Sequence, residues 1–210
     1  LNNKVIFEEI MSSYIRVPVN YALISEGKIF PLQSRIKINK IDSMIRVCEE
    51  QNGLVFKPVV GSQGKGVAIL KVKNDKIFIN NKEAHIREVE GFISALDNYI
   101  ITEYIRQGEY SNSLSPYSTN TMRILIMVDP ITNKPFIARA VQRIGGKASG
   151  GLDNFSQGGY SANIDLDTGK LTAAVTKWSA KELTWHKVQP DTGEQIEGKR
   201  VPKWNEIKNK

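Results

Sequence analysis

The sequence of 210 residues predicts an α+β fold with antiparallel sheets. Two observations favour this class. Several short apolar segments follow one another across tight turns, among them "KNDK" and "LDTG", and strands joined in this way are antiparallel. Only three segments have the periodicity of helices, and they do not alternate with the strands as they would in a doubly wound parallel sheet.

Helical spacing of apolar residues predicts helices over residues 3–13, 40–52 and 85–97. The first ends before "VPV" at 17–19, because a residue that precedes proline avoids the helical conformation. The apolar face of the second includes Cys48, which predicts a buried cysteine with a packing role. Since Cys48 is the only cysteine, an internal disulfide is excluded, which is consistent with the cytoplasmic location that we expect.

Apolar segments bounded by turn residues predict the strands. A polar loop is predicted over 106–120, and the residues after 178 have turns but little periodicity. We expect an N-terminal helix–strand segment over 1–39, a subdomain with a glycine-rich loop over 40–105, and a larger antiparallel-sheet subdomain over 106–210. The predicted strands are 21–30 with an internal turn, 54–60, 66–72, 76–79, 99–104, 121–128, 135–143, 160–165 and 170–178.

The net charge of +7 is spread along the chain and forms no polybasic segment. A protein that binds nucleic acid concentrates its Lys and Arg residues, so this distribution favours small anionic ligands as partners. No apolar run approaches the ~18 residues of a membrane-spanning helix, and we expect no membrane insertion. The pattern gives no prediction of the oligomeric state.

The stretch "VFKPVVGSQGKGVAILKV" at 55–72 places Lys57 inside a predicted strand and follows it with a loop that contains three glycines. Glycines let backbone N–H groups approach an anion, and Lys57 and Lys65 add point charges that suit phosphate. The loop matches neither a P-loop nor a dinucleotide-binding fingerprint, because a strand follows it where those motifs need a helix. Two interpretations remain: a lid over nucleotide phosphates, or an ordinary glycine-containing hairpin beside an edge lysine.

Two later strands carry arginines, Arg123 in "NTMRILIMV" and Arg143 in "AVQRIGG". A buried arginine needs a partner, because an isolated buried charge is unfavourable. If both point inward, they form one pocket for an anion together with Lys57; the alternative is that both face solvent. The exit of the strand in "ITEYIRQG" at 101–108 offers a backbone N–H and a C=O to the edge of an adenine.

The ordered set of motifs resembles the ATP-grasp superfamily, and most closely its sugar-transfer-associated branch, which is related to glutamate-ligating enzymes. The resemblance runs over most of the chain and implies two α+β subdomains whose antiparallel sheets grip ATP between them. The matching segments are "NNK" at 2–4, "VFKPVVGSQGKGV", "ITEYI", "NTMRI", "DNFSQGGYSANIDLDTG" and the stretch from His186 through "PDTG" to Trp204.

The resemblance implies a nucleotide site. Lys4 and Lys57 are expected to contact the ATP phosphates, and a flexible loop is expected to close over them. The expected hinge around adenine consists of Glu103, Tyr104 and Ile105, and the expected loop consists of Gly61, Ser62, Gln63, Gly64, Lys65, Gly66 and Val67.

The resemblance also implies the chemistry of a ligase that uses ATP and Mg²⁺. ATP phosphorylates a carboxylate, and an amine attacks the resulting acyl phosphate. Arg123 and Arg143 are expected near the transferred phosphate or the carboxylate, with Asn154 close by. The partner is then a small-molecule acceptor with a carboxylate or an amine, in polysaccharide or peptide assembly.

One departure from the family concerns the metal. Relatives hold magnesium on an acidic strand followed by a Glu-x-Asn pattern; neither follows residue 178, so we expect the chain to be C-terminally incomplete. Asp153 and Asp165 are better explained as turn residues, and the metal ligands stay unassigned. The alternatives to a ligase domain are a nucleotide-binding or regulatory module without turnover, an inactive fragment, or a sugar- or nucleic-acid-binding β domain with an incidental glycine loop.

Overall fold

The computed structural model describes residues 3–61, 64–149, 151–177 and 183–209. The predicted α+β class with antiparallel sheets is confirmed. The chain divides into two compact units, Leu1–Ile105 and Arg106–Lys210, and each contains one sheet. Within the described ranges, no helix has both the length and the apolar character needed to cross a membrane.

The first unit is built on a seven-stranded sheet. In the order β2-β1-β7-β3-β4-β5-β6, all neighbours are antiparallel, and the central strand β3 pairs with β7 and β4. Lys57 on β3 is therefore not an edge lysine. The strands are β1 (Asn20–Ser25), β2 (Lys28–Pro31), β3 (Leu54–Pro58), β4 (Ala68–Lys73), β5 (Lys76–Ile79), β6 (Lys82–Ala84) and β7 (Tyr99–Glu103).

Two helices, α2 (Ile41–Glu50) and α3 (Ile86–Ser94), bury their apolar stripes in the core of this unit. Phe56 of the central strand contacts Phe92 edge to face, with the ring centroids 5.3 Å apart. Cys48 is fully buried, as predicted, and its thiol donates to the Leu70 carbonyl at 3.3 Å. Because Phe56 faces this core, its neighbour Lys57 lies on the opposite face of the sheet.

The second unit contains a five-stranded antiparallel sheet in the order β12-β11-β10-β9-β8. One face carries the fully buried Ala162 and Ala174 and packs in a core with Leu114 and Trp204. The elements are α4 (Glu109–Leu114), β8 (Met122–Val128), β9 (Pro135–Ile144), β10 (Tyr160–Ile164), β11 (Leu171–Lys177), β12 (Leu183–His186) and α5 (Trp204–Lys208), with 3₁₀ turns at Lys147–Ser149 and Phe155–Gln157.

Three of these elements are absent from the sequence prediction. Helix α4 lies within the predicted polar loop. This short polar segment is held against the core by its buried residue Leu114. Strand β12 forms because it pairs with β11, and α5 begins at Trp204, whose indole donates to the Leu166 carbonyl at 2.9 Å. Such long-range contacts leave no periodic pattern in a short segment.

The strands around the glycine loop are shorter than predicted. Strand β3 ends at Pro58, and beyond it the chain pairs with the N-terminal segment: Val59 accepts from the Lys4 N–H at 3.1 Å, and Val60 bridges to Asn3. This contact leads to helix α1 (Lys4–Met11), which agrees with the first predicted helix. Trp178, at the end of the last predicted strand, lies outside the described residues.

Candidate functional site

Lys57 occupies an unusual environment for a charged group. It lies on the central strand opposite Ile100 of β7 and is half-buried. Burial, and secondarily the nearby positive charge of Lys4, lowers the pKa of its ammonium group. Among the described residues no group forms a hydrogen bond or an ion pair with it. The site therefore holds a partly desolvated cation that favours an anion as its partner.

Lys4 lies beside this cation at the start of helix α1. The Asn3 side chain caps the helix by accepting from the Val5 backbone N–H at 3.0 Å. The Lys4 ammonium donates to the carbonyls of Pro58 at 2.7 Å and Gly61 at 3.2 Å, and burial lowers its pKa. Lys4 is therefore near Lys57, and it also holds Gly61, the first residue of the glycine loop.

The glycine loop needs its glycines for conformation and for space. Gly64 and Gly66 both have φ of 72°, a region that favours glycine. A Cβ on Gly66 would lie 2.5 Å from the Tyr99 hydroxyl, so the loop passes tightly over the start of β7. Lys65 is exposed between them, and Val67 donates to the Gly64 carbonyl at 3.3 Å. Ser62 and Gln63, the other predicted loop residues, lie outside the described residues.

The other end of the same sheet face carries Tyr104 and Lys71. The Lys71 ammonium donates to the Tyr104 hydroxyl at 3.0 Å and lies 4.4 Å from the centre of its ring. Pairing of Val55 with Ile69 places Lys57 and Lys71 on one face. Their Cα atoms are about 14 Å apart, from four residues along the strands and one strand spacing. The sequence analysis missed Lys71; its only signal is the period-2 position in "AILKVK".

Gly53 makes room for the Tyr104 ring. Its φ is 137°, and a Cβ there would lie 3.1 Å from Tyr104 Cγ. Glu103, the residue before Tyr104, accepts a hydrogen bond from the Val19 N–H at 3.3 Å through its carboxylate. Its side chain therefore stabilises the local fold. Ile105 is exposed and ends the first unit. The predicted hinge residues thus form a short segment in which the Glu103 N–H donates to the Val19 carbonyl and the Tyr104 ring contacts the Lys71 ammonium.

Arg123 and Arg143 lie on one face of the sheet in the second unit. Arg123 pairs with Val141, which is two residues from Arg143 on β9 and therefore points to the same side. Their environments differ. Arg123 is exposed, so the interpretation of an inward, buried cation is wrong for it. The Arg143 side chain is only 17% exposed, and its charge is compensated.

Asp153 is the partner of Arg143. Its carboxylate lies 2.9 Å from the Arg143 guanidinium, and its backbone carbonyl accepts from Arg143 Nε at 3.2 Å. The same carboxylate accepts from the backbone N–H of Thr121 at 2.9 Å and from its hydroxyl. Asp153 is thus an ion-pair partner, and the turn interpretation is wrong. Asn154 accepts from the Ser156 N–H at 3.3 Å and caps the 3₁₀ turn.

The described residues form no ready-made cluster of metal ligands. Magnesium in nucleotide sites keeps several waters and is usually held by one or two carboxylates together with the substrate phosphates. In the parts of the chain that the structure describes, no three His, Cys, Asp or Glu residues are grouped for a metal. Asp153 is committed to Arg143, and Asp165 accepts from the Thr168 N–H at 2.7 Å, which confirms its predicted role in a hairpin turn.

The first unit thus carries two lysines and a glycine loop at one end of a sheet face, and an aromatic ring at the other. Residues 1–209 match the family model described as sugar-transfer associated ATP-grasp, and the chain belongs to that family. The family resemblance noted from the motifs is thereby confirmed. Membership implies an ATP-dependent ligase type of enzyme. Searches of curated proteins and of solved structures found no match.

Proposed function

We propose that this chain is an ATP-dependent ligase domain of the carboxylate–amine type. In this chemistry a carboxylate takes the terminal phosphoryl group of ATP, and an amine then displaces inorganic phosphate from the acyl phosphate to form an amide. The observation that carries the proposal is the half-buried Lys57 ammonium, with no partner among the described residues. The family description favours a role connected with sugar transfer, and the proposed ligation would serve polysaccharide or peptide assembly.

The nucleotide would lie along the sheet face of the first unit. Its phosphates would meet Lys57, Lys4 and the backbone N–H groups of the glycine loop. Its adenine would lie at the Tyr104 segment, where an aromatic ring and the backbone at the end of the strand suit a purine. The separation of about 14 Å between the two ends suits an extended nucleoside triphosphate. This placement uses Lys4, Lys57, the glycine loop and Tyr104, whereas Glu103 stays bonded to Val19.

The contribution of the lysines would be electrostatic. An anion beside Lys57 would stabilise the charged form of its ammonium group, because it supplies a partner that the described residues do not. Phosphoryl transfer spreads negative charge over the equatorial oxygens, and fixed cations stabilise that charge without reorganising. Lys4 would join them by exchanging one of its loop carbonyls for a phosphate oxygen.

The second unit would supply the acceptor side. Arg123 is exposed and offers a full guanidinium to a carboxylate or phosphate. Arg143 is already held in place by Asp153 and Thr121, so it would act as an oriented donor with part of its charge neutralised. Asn154 lies next to Asp153 in the chain and would be placed with it.

Thermal unfolding with ATP tests the proposal. A ligand that binds only the folded state stabilises it by about 2.7 kcal/mol at a hundred times its dissociation constant. We expect ATP to raise the unfolding midpoint of the wild-type chain and of Lys73→Met, but not that of Lys57→Met. Lys73 is an exposed lysine on β4, so this control removes the same charge from the same sheet.

Two results would count against the proposal. Equal stabilisation of wild type and Lys57→Met by ATP would place the nucleotide elsewhere. If ATP at concentrations up to several millimolar does not raise the unfolding midpoint of the wild-type chain, the proposal that the chain binds a nucleotide is refuted.

A further inference from the structure

Trp185 is an exposed aromatic residue on the sheet of the second unit. It lies on β12, and 64% of its surface is exposed. Its indole has no hydrogen bond to any other residue in the described part of the chain. Trp204, by contrast, is 1% exposed and donates its indole N–H within the core. Packing explains Trp204, but it does not explain an indole that is mostly exposed on the sheet.

The pairing register places Trp185 in one row with Arg143. Trp185 pairs with Val175, Val175 with Ser161, and Ser161 with Arg143. Directly paired residues point to the same face, so the four side chains form a line across four strands. The next row on this face contains Arg123, Val141 and Asn163. The opposite face of the sheet is the buried core.

The row has the chemistry of a binding surface for a saccharide. An indole face packs against the apolar C–H face of a pyranose ring, while hydroxyl and amide groups such as those of Ser161 and Asn163 reach its polar rim. Exposed Arg123, with the Arg143 guanidinium held by Asp153 in the neighbouring row, gives one end of the face a net positive charge, which complements an anionic ligand. Three strand spacings separate Trp185 from Arg143, about 14 Å, which is room for two sugar rings or one ring and a linker.

We propose that the acceptor of this ligase carries a saccharide, which stacks one ring on Trp185 and directs its carboxylate end toward Arg143 and Arg123. This rests on the proposed ligase function for the identity of the reacting group. The saccharide contact itself does not need a nucleotide. The ligand class is an acidic glycoside at least two units long, and a neutral sugar of the same size binds more weakly because it lacks the charge.

The test uses lactobionate, a galactose ring joined to an open-chain acid, and lactose as its neutral counterpart. The chain has three tryptophans, so its indole N–H signals are few in an NMR spectrum, and Trp185→Phe identifies the one of interest. We expect both ligands, without nucleotide, to shift the Trp185 signal and leave the Trp204 signal in place. Lactobionate should reach half-saturation at a concentration several-fold lower than lactose.

Calorimetry on variants completes the test. Trp185→Ala should weaken lactobionate binding about tenfold, equivalent to about 1.4 kcal/mol, whereas Trp185→Phe should retain most of the affinity. Leu183→Ala is the matched control, since Leu183 is exposed on the same strand and points to the same side. It should bind lactobionate as the wild type does.

Three results would overturn the inference: no shift of the Trp185 signal with either ligand, unchanged affinity in Trp185→Ala, or equal affinity for lactose and lactobionate. A shift with adenosine but not with the saccharides would also overturn it, and would make Trp185 a base-stacking residue. The ATP stabilisation assay keeps the two proposals apart. Saccharide binding without ATP binding would refute only the ligase proposal, and ATP binding without saccharide binding would refute only this inference.

Discussion

Replacement of Lys57 by methionine should stabilise the nucleotide-free protein while it removes ATP binding. Methionine fills a similar volume and brings no charge into a half-buried position. Because the Lys57 ammonium lacks a partner in the described part of the chain, its removal relieves a desolvation penalty on the order of 1 kcal/mol. In a chain of this length, such a gain raises the unfolding midpoint by about 2–4 °C.

The effect should depend on pH with a defined sign. The folded-state pKa of Lys57 lies below its ordinary value of 10.5, because burial and the charge of Lys4 disfavour the charged form. Between the lowered pKa and 10.5, the unfolded chain binds more protons than the folded chain, so wild-type stability rises with pH. The gain in free energy of unfolding of Lys57→Met over the wild type is therefore greatest at neutral pH and becomes smaller as the pH approaches 10.5.

The assay is chemical denaturation of both proteins at a series of pH values, with Lys4→Met as the contrasting variant. The Lys4 ammonium has carbonyl acceptors at Pro58 and Gly61, so its loss should destabilise the chain by about 1 kcal/mol. The reasoning about Lys57 is refuted if Lys57→Met is less stable than wild type at neutral pH, or if the difference does not change with pH.

Three further predictions concern the surroundings of the site. Gly66→Ala should destabilise the chain by about 1–2 kcal/mol, because φ is 72° and the new Cβ meets the Tyr99 hydroxyl at 2.5 Å; Tyr99→Phe should restore part of this loss in denaturation assays. Arg143→Ala and Asp153→Ala should each lose about 3 kcal/mol, and the double variant should lose clearly less than the sum, since the two side chains are a shielded ion pair; additive losses would contradict the pairing. Cys48 should resist a thiol reagent at pH 8 in the folded protein and react fully in denaturant, because burial raises its pKa to about 11; rapid labelling of the native chain would contradict its burial.

Much of the fold could be predicted because its signals are local. The hairpins β8–β9 and β10–β11 are predicted by the turn residues in "DPITNK" and "LDTG", and helix α2 is predicted by its apolar stripe. Strand β12 and helix α5 could not be predicted in this way. They are four and five residues long and depend on the partner strand β11 and on burial of Trp204.

In the candidate site, too, residues with a local signal could be predicted and residues brought together by long-range contacts could not. Lys57 was identifiable because a cation in an apolar strand conflicts with its surroundings, and Lys4 entered through the family resemblance. The partner of Arg143 could not be predicted, since Asp153 reaches it across an irregular glycine-rich segment. The contact between Lys71 and Tyr104 joins residues 33 positions apart. Only the sheet register brings that pair together, and no local pattern encodes it.

The most direct test of the central claim is amide hydrogen exchange with and without ATP. The account predicts slower exchange on ATP binding in two separate segments: residues 57–67, the proposed site of the phosphates, and residues 103–105, the proposed site of the adenine. Protection of both in the wild type and of neither in Lys57→Met would support the placement of the nucleotide along this sheet face. Unchanged exchange in both segments, under conditions where ATP is bound, would contradict it.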